Sequence, residues 1–255
     1  MRAVYKRELK AYFNTPLGFV VLAAYYLILG IFYYEYLYLN GSPEISVLII
    51  SMYSIVEFTV PIITMRLLSE ERRNKTDQVL LTAPVSLTGI VMGKFLAAFT
   101  LYAIAFAPTV IFEIISASYV SVNILSYLYS LFGILLMGAA FISVGMFVSS
   151  LTESPVVSAF MMYVVVFIIS VSGNLASAVT KRSTSSTSGL VNLANKFLNV
   201  LITCVQKFLS AINIEERITS FAQPVFSVPH VIYFLSASAV FLFLSVRSLE
   251  KRRWA

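Results

Sequence analysis

The feature that most constrains this chain is a series of apolar runs, each about 20 residues long. A helix rises about 1.5 Å per residue, so such a run crosses the roughly 30 Å of hydrocarbon in a bilayer. Backbone polar groups in lipid must be satisfied within their own segment, which favours helices. The six runs span 17–38, 47–68, 89–118, 124–149, 155–175 and 228–246. The sequence predicts an all-α membrane protein with six transmembrane helices, in a single transmembrane domain over residues 1–255.

Composition excludes several other classes of protein. With 59% hydrophobic and 12% charged residues, the chain has too little polar material for a water-soluble surface. The net charge of +6 comes from Lys and Arg that flank apolar runs, so we expect no nucleic-acid partner. The single Cys204 excludes an intrachain disulfide, and no Cys/His cluster predicts a metal site. The first run is too long for a signal peptide and lacks a small-residue cleavage site, so we expect a retained span.

The positions of Lys and Arg predict the orientation. Basic clusters precede the first span, follow the second and follow the sixth, whereas the short connections 40–46 and 119–123 carry no Lys or Arg. Positive charge favours the cytoplasmic side, so both termini are predicted to be cytoplasmic, in a multi-pass protein of the cell membrane. Basic and apolar residues alternate in the first 15 residues, which indicates either a helix in the plane of the cytoplasmic interface or a plain basic anchor.

The connection 176–227 is long and is predicted to be extracellular. Its segment 180–188 is rich in Ser and Thr, and apolar residues recur at helical spacing from Leu190 to Ile212. This spacing predicts an amphipathic helix at the outer interface or over the ends of the spans. A seventh span is the rival interpretation, and it is disfavoured because two lysines and three asparagines are costly in hydrocarbon.

The cytoplasmic loop 69–86 after the second span is the most informative soluble segment. Thr76 is placed to cap a short helix that starts at Asp77 and ends before Pro84. That helix exposes apolar side chains, which indicates a docking surface for a soluble partner or a segment that dips into the interface. The predicted docking residues are Glu70, Glu71, Arg72, Arg73, Thr76, Val79, Leu80 and Leu81.

The chain contains no glycine-rich phosphate loop. Gly93-Lys94 lacks the preceding glycine and the following Ser or Thr of the G-x-x-x-x-G-K-[ST] pattern, so ATP hydrolysis is not expected here. We predict instead that Lys94 is an interface anchor whose side chain extends toward lipid phosphates.

Acidic residues within spans are costly in hydrocarbon and are therefore candidates for function. Glu57 lies near the middle of the second span, and it is either a substrate-path group or a partner for hydroxyls on neighbouring helices. Glu113 lies toward the outer end of the third span, where it either lines a substrate path or reaches headgroup water. Glycines in the fourth span, among them Gly133, Gly138 and Gly145, predict close helix packing.

Several segments resemble one family across nearly the whole chain. They are PIITMRLLSEERR at 61–73, Lys75-Thr76, LLTAPVS at 80–86, Gly93-Lys94, SSLTES at 149–154 and VRSLEKRRW at 246–254. Together they resemble the permease subunits of ABC type-2 exporters, in the branch that includes gliding-motility and copper-maturation permeases. The extracellular insertion after residue 180 departs from this resemblance.

The resemblance implies a six-span transport subunit without its own ATPase site. It implies pairing with a second permease copy or a paralogue, and docking of ABC ATP-binding subunits that hold ATP and Mg. In such permeases the loop after the second span contains the coupling helix, and the branch suggests a membrane-anchored extracellular auxiliary subunit. The expected function is ATP-driven export of an amphipathic or lipid-like, peptide or polymer substrate. An ion-coupled secondary transporter and a membrane scaffold protein are the alternatives.

Overall fold

The computed structural model describes residues 1–36, 45–76, 86–119, 123–178, 203, 213–222 and 227–253. All regular structure in these residues is helical. We number the helices α1 Arg2–Asn14, α2 Pro16–Tyr34, α3 Ile45–Ser51, α4 Tyr53–Thr64, α5 Ser69–Arg73, α6 Leu87–Ala105, α7 Pro108–Ala117, α8 Ile124–Leu151, α9 Pro155–Ala178, α10 Glu215–Thr219 and α11 Val228–Arg253. A 3₁₀ helix, Ser220–Ala222, follows α10.

The described helices agree with a chain that crosses a membrane several times. Five are long and apolar enough to span it, and a bent pair in the second apolar run gives a sixth span if it is counted as one. Large apolar side chains such as Phe19, Phe58 and Ile114 are more than half exposed, as lipid contact allows. The prediction of an all-α, multi-pass membrane protein is confirmed for the described residues.

The second span is broken, whereas the sequence predicted one continuous helix over 47–68. α3 and the segment Tyr53–Arg73 meet at an angle of 47°. At the break, the Ser51 hydroxyl donates to the Leu48 carbonyl at 2.7 Å and competes with the backbone for that acceptor. A serine hydroxyl that bonds back to its own helix in this way commonly bends it.

The third span begins and breaks at residues with clear local causes. The Ser86 hydroxyl accepts a hydrogen bond from the Gly89 N–H at 3.2 Å, so α6 begins two residues before the predicted start at Gly89. α6 ends at Ala105, and α7 restarts at Pro108, which has no N–H to continue the helix. The predicted span over 89–118 is therefore two helical segments.

α8 is the central helix, and its glycines allow close packing as predicted. A Cβ added at Gly138 would clash with the Tyr102 ring, and one at Gly145 would clash with the Thr64 hydroxyl. The Tyr102 hydroxyl donates to the Ile134 carbonyl at 2.7 Å and satisfies the ring's one polar group inside the bundle. Side chains from α4 and α6 thus occupy the positions that larger residues in α8 would fill.

The chain divides into two compact units, Met1–Tyr163 with Ile218–Ala255, and Val164–Arg217. In the first unit, Phe221 of the 3₁₀ helix is buried, and its ring covers Gly133 of α8. In the second unit, the structure describes the rest of α9, Thr203 and the residues that lead into α10. The predicted Ser/Thr-rich segment 180–188 and most of the predicted amphipathic helix from Leu190 to Ile212 lie outside the described residues.

Candidate functional site around helix α5

α5 continues the second span beyond its apolar part. Its first turn carries Glu70 and Glu71, and its last turn carries Arg72 and Arg73. Lys75, which has a φ of 54°, then turns the chain back. The Thr76 N–H donates to the Glu71 carbonyl at 2.9 Å. This hydrogen bond ends the charged helix α5 in a tight turn just beyond the second span.

The junction between the second span and α5 is held by one side chain of α8. The Ser149 hydroxyl accepts hydrogen bonds from the N–H groups of Leu68 and Ser69, both at 3.0 Å. It also donates to the Met65 carbonyl at 3.2 Å. Ser149 is fully buried, so these backbone groups have no access to water as an alternative partner.

Arg72 makes a second link between α5 and the end of α8. Its guanidinium lies 2.6 Å from a carboxylate oxygen of Glu153 and donates to the Leu151 carbonyl at 3.2 Å. The Glu153 side chain is 70% exposed, so the ion pair itself contributes little to stability. Its value lies in fixing where α5 sits against the connection from α8 to α9.

Four charged side chains meet on the other side of α5. The buried Lys94 ammonium lies 3.0 Å from Oε1 of Glu71 and 3.2 Å from Oε1 of Glu8. Arg7 reaches the same two carboxylates at 2.6 Å and 2.7 Å. We call Arg7, Glu8, Glu71 and Lys94 the charge quartet. It ties together α1, α5 and α6.

The surroundings of Lys94 differ from those predicted from the sequence. Its side chain is 1% exposed and paired with two carboxylates, so it does not extend toward lipid phosphates. A lysine is buried only when its charge is compensated, and the quartet supplies two negative groups. Lys94 is therefore a structural centre of the site.

The quartet is electrostatically balanced, with two cations and two anions. Partial burial lowers the pKa of Arg7, but hydrogen bonds and charge attraction from Glu8 and Glu71 outweigh that effect and raise its pKa above the ordinary value. Arg7 is thus held in its charged form between α1 and α5.

α1 packs directly against the bundle. The Tyr12 hydroxyl donates to the Ile63 carbonyl in α4 at 2.8 Å, and the hydroxyls of Tyr5 and Thr100 lie 3.2 Å apart. A Cβ added at Gly93 would lie 3.1 Å from the Val4 side chain, so α1 approaches α6 closely. The contacts of α1 are far more extensive than those of a plain basic anchor.

A comparison with protein families decides what kind of membrane protein this is. The model described as ABC-2 family transporter protein matches residues 27–254. The chain belongs to the ABC-2 transporter family. No curated protein matches it in a sequence search.

The family confirms the resemblance to ABC type-2 permeases, and with it the prediction of a transport subunit. ABC-2 proteins are membrane permeases that pair with an ABC ATP-binding subunit. Such a permease is usually not itself catalytic. This finding favours the ABC permease over the ion-coupled transporter and the scaffold protein considered from the sequence.

The structure brings together only part of the predicted docking set in this ABC-2 permease. Of the four charged residues of α5, Glu71 and Arg72 form ion pairs with described residues outside the helix, whereas Glu70 and Arg73 are exposed. The Thr76 hydroxyl donates back to the Glu71 carbonyl at 3.3 Å. Val79, Leu80 and Leu81 lie outside the described residues, as does the predicted helix from Asp77.

The predicted substrate-path residues of the permease lie in different surroundings. Glu113 is buried at 8% exposure in α7, which fits a position inside the protein better than one in headgroup water. Glu57 is half-buried in α4 and interacts with another group. Their role in a substrate path stays a prediction.

Sequence reasoning missed Arg7, Glu8, Lys94 and Ser149 as site residues. Arg7 and Lys94 carried the same signal as any basic residue beside a span, and Ser149 sat in a motif that was noted only for resemblance. Glu8 offered one usable clue, since an acidic residue among the basic ones of α1 needs a partner. Among the described residues, no group of three or more His, Cys, Asp or Glu is placed to hold a metal.

Proposed function

We propose that this chain is the membrane-spanning subunit of an ATP-driven exporter, and that α5 receives the force from a separate ATPase. The supporting observation is that α5 is connected to three other helices at once. The charge quartet joins it to α1 and α6, and Ser149 with Glu153 joins it to the end of α8. A push on α5 would reach the N-terminal helix and the third and fourth spans together.

The strengths of these links differ, and the difference indicates how force is divided. Removing one partner of a buried ion pair costs about 3 to 5 kcal/mol, whereas an exposed pair contributes about 1 kcal/mol or less. The Glu71–Lys94 contact is of the first kind and the Arg72–Glu153 contact of the second. We therefore expect α5, α6 and α1 to move as one body, with Arg72–Glu153 as the link that can break.

The remaining elements of the proposal rest on the sequence and the resemblance. The ATPase, which holds ATP and Mg, applies force to the loop 69–86. Val79, Leu80 and Leu81 form the apolar contact with the ATPase. Both termini and this loop lie on the cytoplasmic side of the cell membrane. The chain pairs with a second copy or a paralogue, and an extracellular auxiliary subunit completes the complex. The exported substrate is amphipathic or lipid-like, a peptide or a polymer.

Co-purification with a tagged ATP-binding subunit tests docking. Leu80→Asp combined with Leu81→Asp should reduce recovery of the permease at least tenfold, because two charges would be buried against the partner. Glu71→Gln should lower ATP hydrolysis that depends on the permease more than it lowers recovery, because it breaks the connection of α5 to α1 and α6 and leaves the apolar residues Leu80 and Leu81 in place.

The matched control replaces apolar residues at the predicted opposite end of the spans. Tyr119 and Ile124 are both more than 60% exposed, so Tyr119→Asp with Ile124→Asp makes the same chemical change at a distant place. Equal loss of the ATPase from this control would contradict docking at residues 79–81. So would chemical labelling that places Thr76→Cys, in a Cys204→Ser background, on the outer face of the membrane.

A further inference from the structure

A small charged cavity lies between α1, the start of α2 and the end of the second span. Its volume is about 110 Å³, and its lining includes Glu8, Tyr12, Thr15, Arg66 and Glu70. Leu17, the second residue of α2, also lines it. The cavity can be occupied and tested without any ATPase, so its role is independent of the proposed docking at residues 79–81.

The charges around this cavity have capacity left to bind a ligand. Arg66 and Glu70 are exposed, and in the described part of the chain neither side chain has an ion pair or hydrogen bond. Every contact of Glu8 in the charge quartet uses Oε1, so Oε2 is not engaged there. The cavity thus offers one guanidinium and two carboxylate groups.

The hydroxyl groups in the cavity wall are already engaged. The Tyr12 hydroxyl donates to the Ile63 carbonyl, and the Thr15 hydroxyl donates to the Ala11 carbonyl at 2.9 Å. Burial raises the pKa of Tyr12, Glu8 and Glu70 raise it further, and Arg66 opposes them. The charges of Glu8, Arg66 and Glu70 all act on the Tyr12 hydroxyl. A ligand that enters the cavity therefore meets charges of both signs.

Size and position limit what the ligand can be. The cavity is too small for a drug-sized molecule, whose pockets typically measure about 300 to 1,000 Å³. It lies where the N-terminal helix meets the first residues of a span. The ends of a membrane-spanning helix lie near the lipid headgroups. A single headgroup whose acyl chains stay in the bilayer satisfies both limits.

We infer that this cavity binds the headgroup of a zwitterionic phospholipid with a primary ammonium, as in phosphatidylethanolamine. Arg66 binds the phosphate, and Glu8 with Glu70 accepts hydrogen bonds from the ammonium. A choline headgroup has no N–H to donate, so it binds more weakly. An anionic headgroup without an ammonium brings no cation to pair with Glu70, so it also binds more weakly.

Native mass spectrometry of the purified full chain in detergent tests the inference. Phosphatidylethanolamine, phosphatidylcholine and phosphatidylglycerol with identical acyl chains are added at equal concentration. We expect retention of phosphatidylethanolamine about tenfold above either of the others, in line with one or more charge-assisted hydrogen bonds. This ranking uses the unchanged protein, so it does not depend on any variant's ability to fold.

Substitutions then locate the site. Arg66→Gln and Glu70→Gln should each abolish the preference, whereas Lys10→Gln, an exposed cation on α1, should preserve it. No preference for phosphatidylethanolamine in the wild type overturns the inference, as does equal loss in Lys10→Gln. Soluble glycerophosphoethanolamine is added in a separate arm. Retention of that compound as strongly as the lipid would assign the cavity to a soluble ligand and also overturn it.

Discussion

At the scale of single residues, Lys94 has the most unusual environment in the site. Its ammonium is removed from water at the start of α6, and the carboxylates of Glu8 and Glu71 replace the lost hydration. Those carboxylates are themselves only 15% exposed. The free energy of the arrangement therefore depends on all charges being present, since a buried charge without its partner is strongly destabilising.

Lys94→Met should destabilise the protein by about 3 kcal/mol, because two largely buried carboxylates would then share only Arg7. Denaturant titration of the purified chain in detergent measures this, with Lys10→Met as the exposed-lysine control. The double variant Lys94→Met with Glu71→Gln should recover part of the loss. Simple addition of the two single effects would show that the two side chains are not coupled.

The sequence could predict that Lys94 stands beside a span but not what it contacts. A basic residue near an apolar run looks the same whether it faces lipid or protein, since hydropathy is a local property. The partner Glu8 arrives only because α1 folds back against α6, and that depends on Gly93 and Val4 fitting together. The same limit explains why the three backbone contacts of Ser149 were not foreseen.

At the scale of elements, the sequence was most informative where the cause of a structure is local. Pro16 ends the N-terminal helix and starts the first span, and Asn123 caps α8 by accepting from the N–H groups of Leu125 and Ser126. The bend at Met52 was missed because a run such as 45–52 stays apolar whether its helix is straight or bent. Hydropathy determines that a segment enters the membrane, whereas hydrogen bonds determine its course.

Substitutions at two glycines test the packing of α1 against α6. Gly93→Leu should force α1 away from the bundle, because even a Cβ there would lie 3.1 Å from Val4 and 3.2 Å from the Met1 carbonyl. Hydrogen exchange of amides in α1 should accelerate at least tenfold as the helix loosens. Gly30→Leu is the matched control, since nothing lies within 4 Å of its Cβ position. Equal exchange in both variants would contradict tight packing of α1.

At the scale of the whole molecule, the fold places a short charged helix where several spans can respond to it together. α8 contacts α11, α4, α3 and α6, so a shift at its end reaches most of the first compact unit. The sixth span joins the same region, because Arg252 donates to the Ser150 carbonyl. Under the proposed function, this connectivity would carry force from α5 to the spans.

The link through Ser149 offers the sharpest test of that transmission. Ser149→Ala leaves the N–H groups of Leu68 and Ser69 without their acceptor in a buried place, at about 1 to 3 kcal/mol for each unsatisfied group. Only the contacts of Arg72 would then hold α5 to the end of α8, so α5 should move more freely against it. In the complex with its ATPase, the hydrolysis that depends on the permease should fall severalfold while the complex stays assembled.

Ser143→Ala is the matched control for this variant. Ser143 is equally buried on the same helix, but its hydroxyl donates only to the Ala140 carbonyl of that helix. Its loss changes the composition of α8 without freeing α5, so permease-dependent hydrolysis should stay near the wild-type rate. An equal fall in both variants would mean that general loosening of α8 is responsible. An unchanged rate in Ser149→Ala would mean that force passes from α5 to the spans through the charge quartet and the contacts of Arg72.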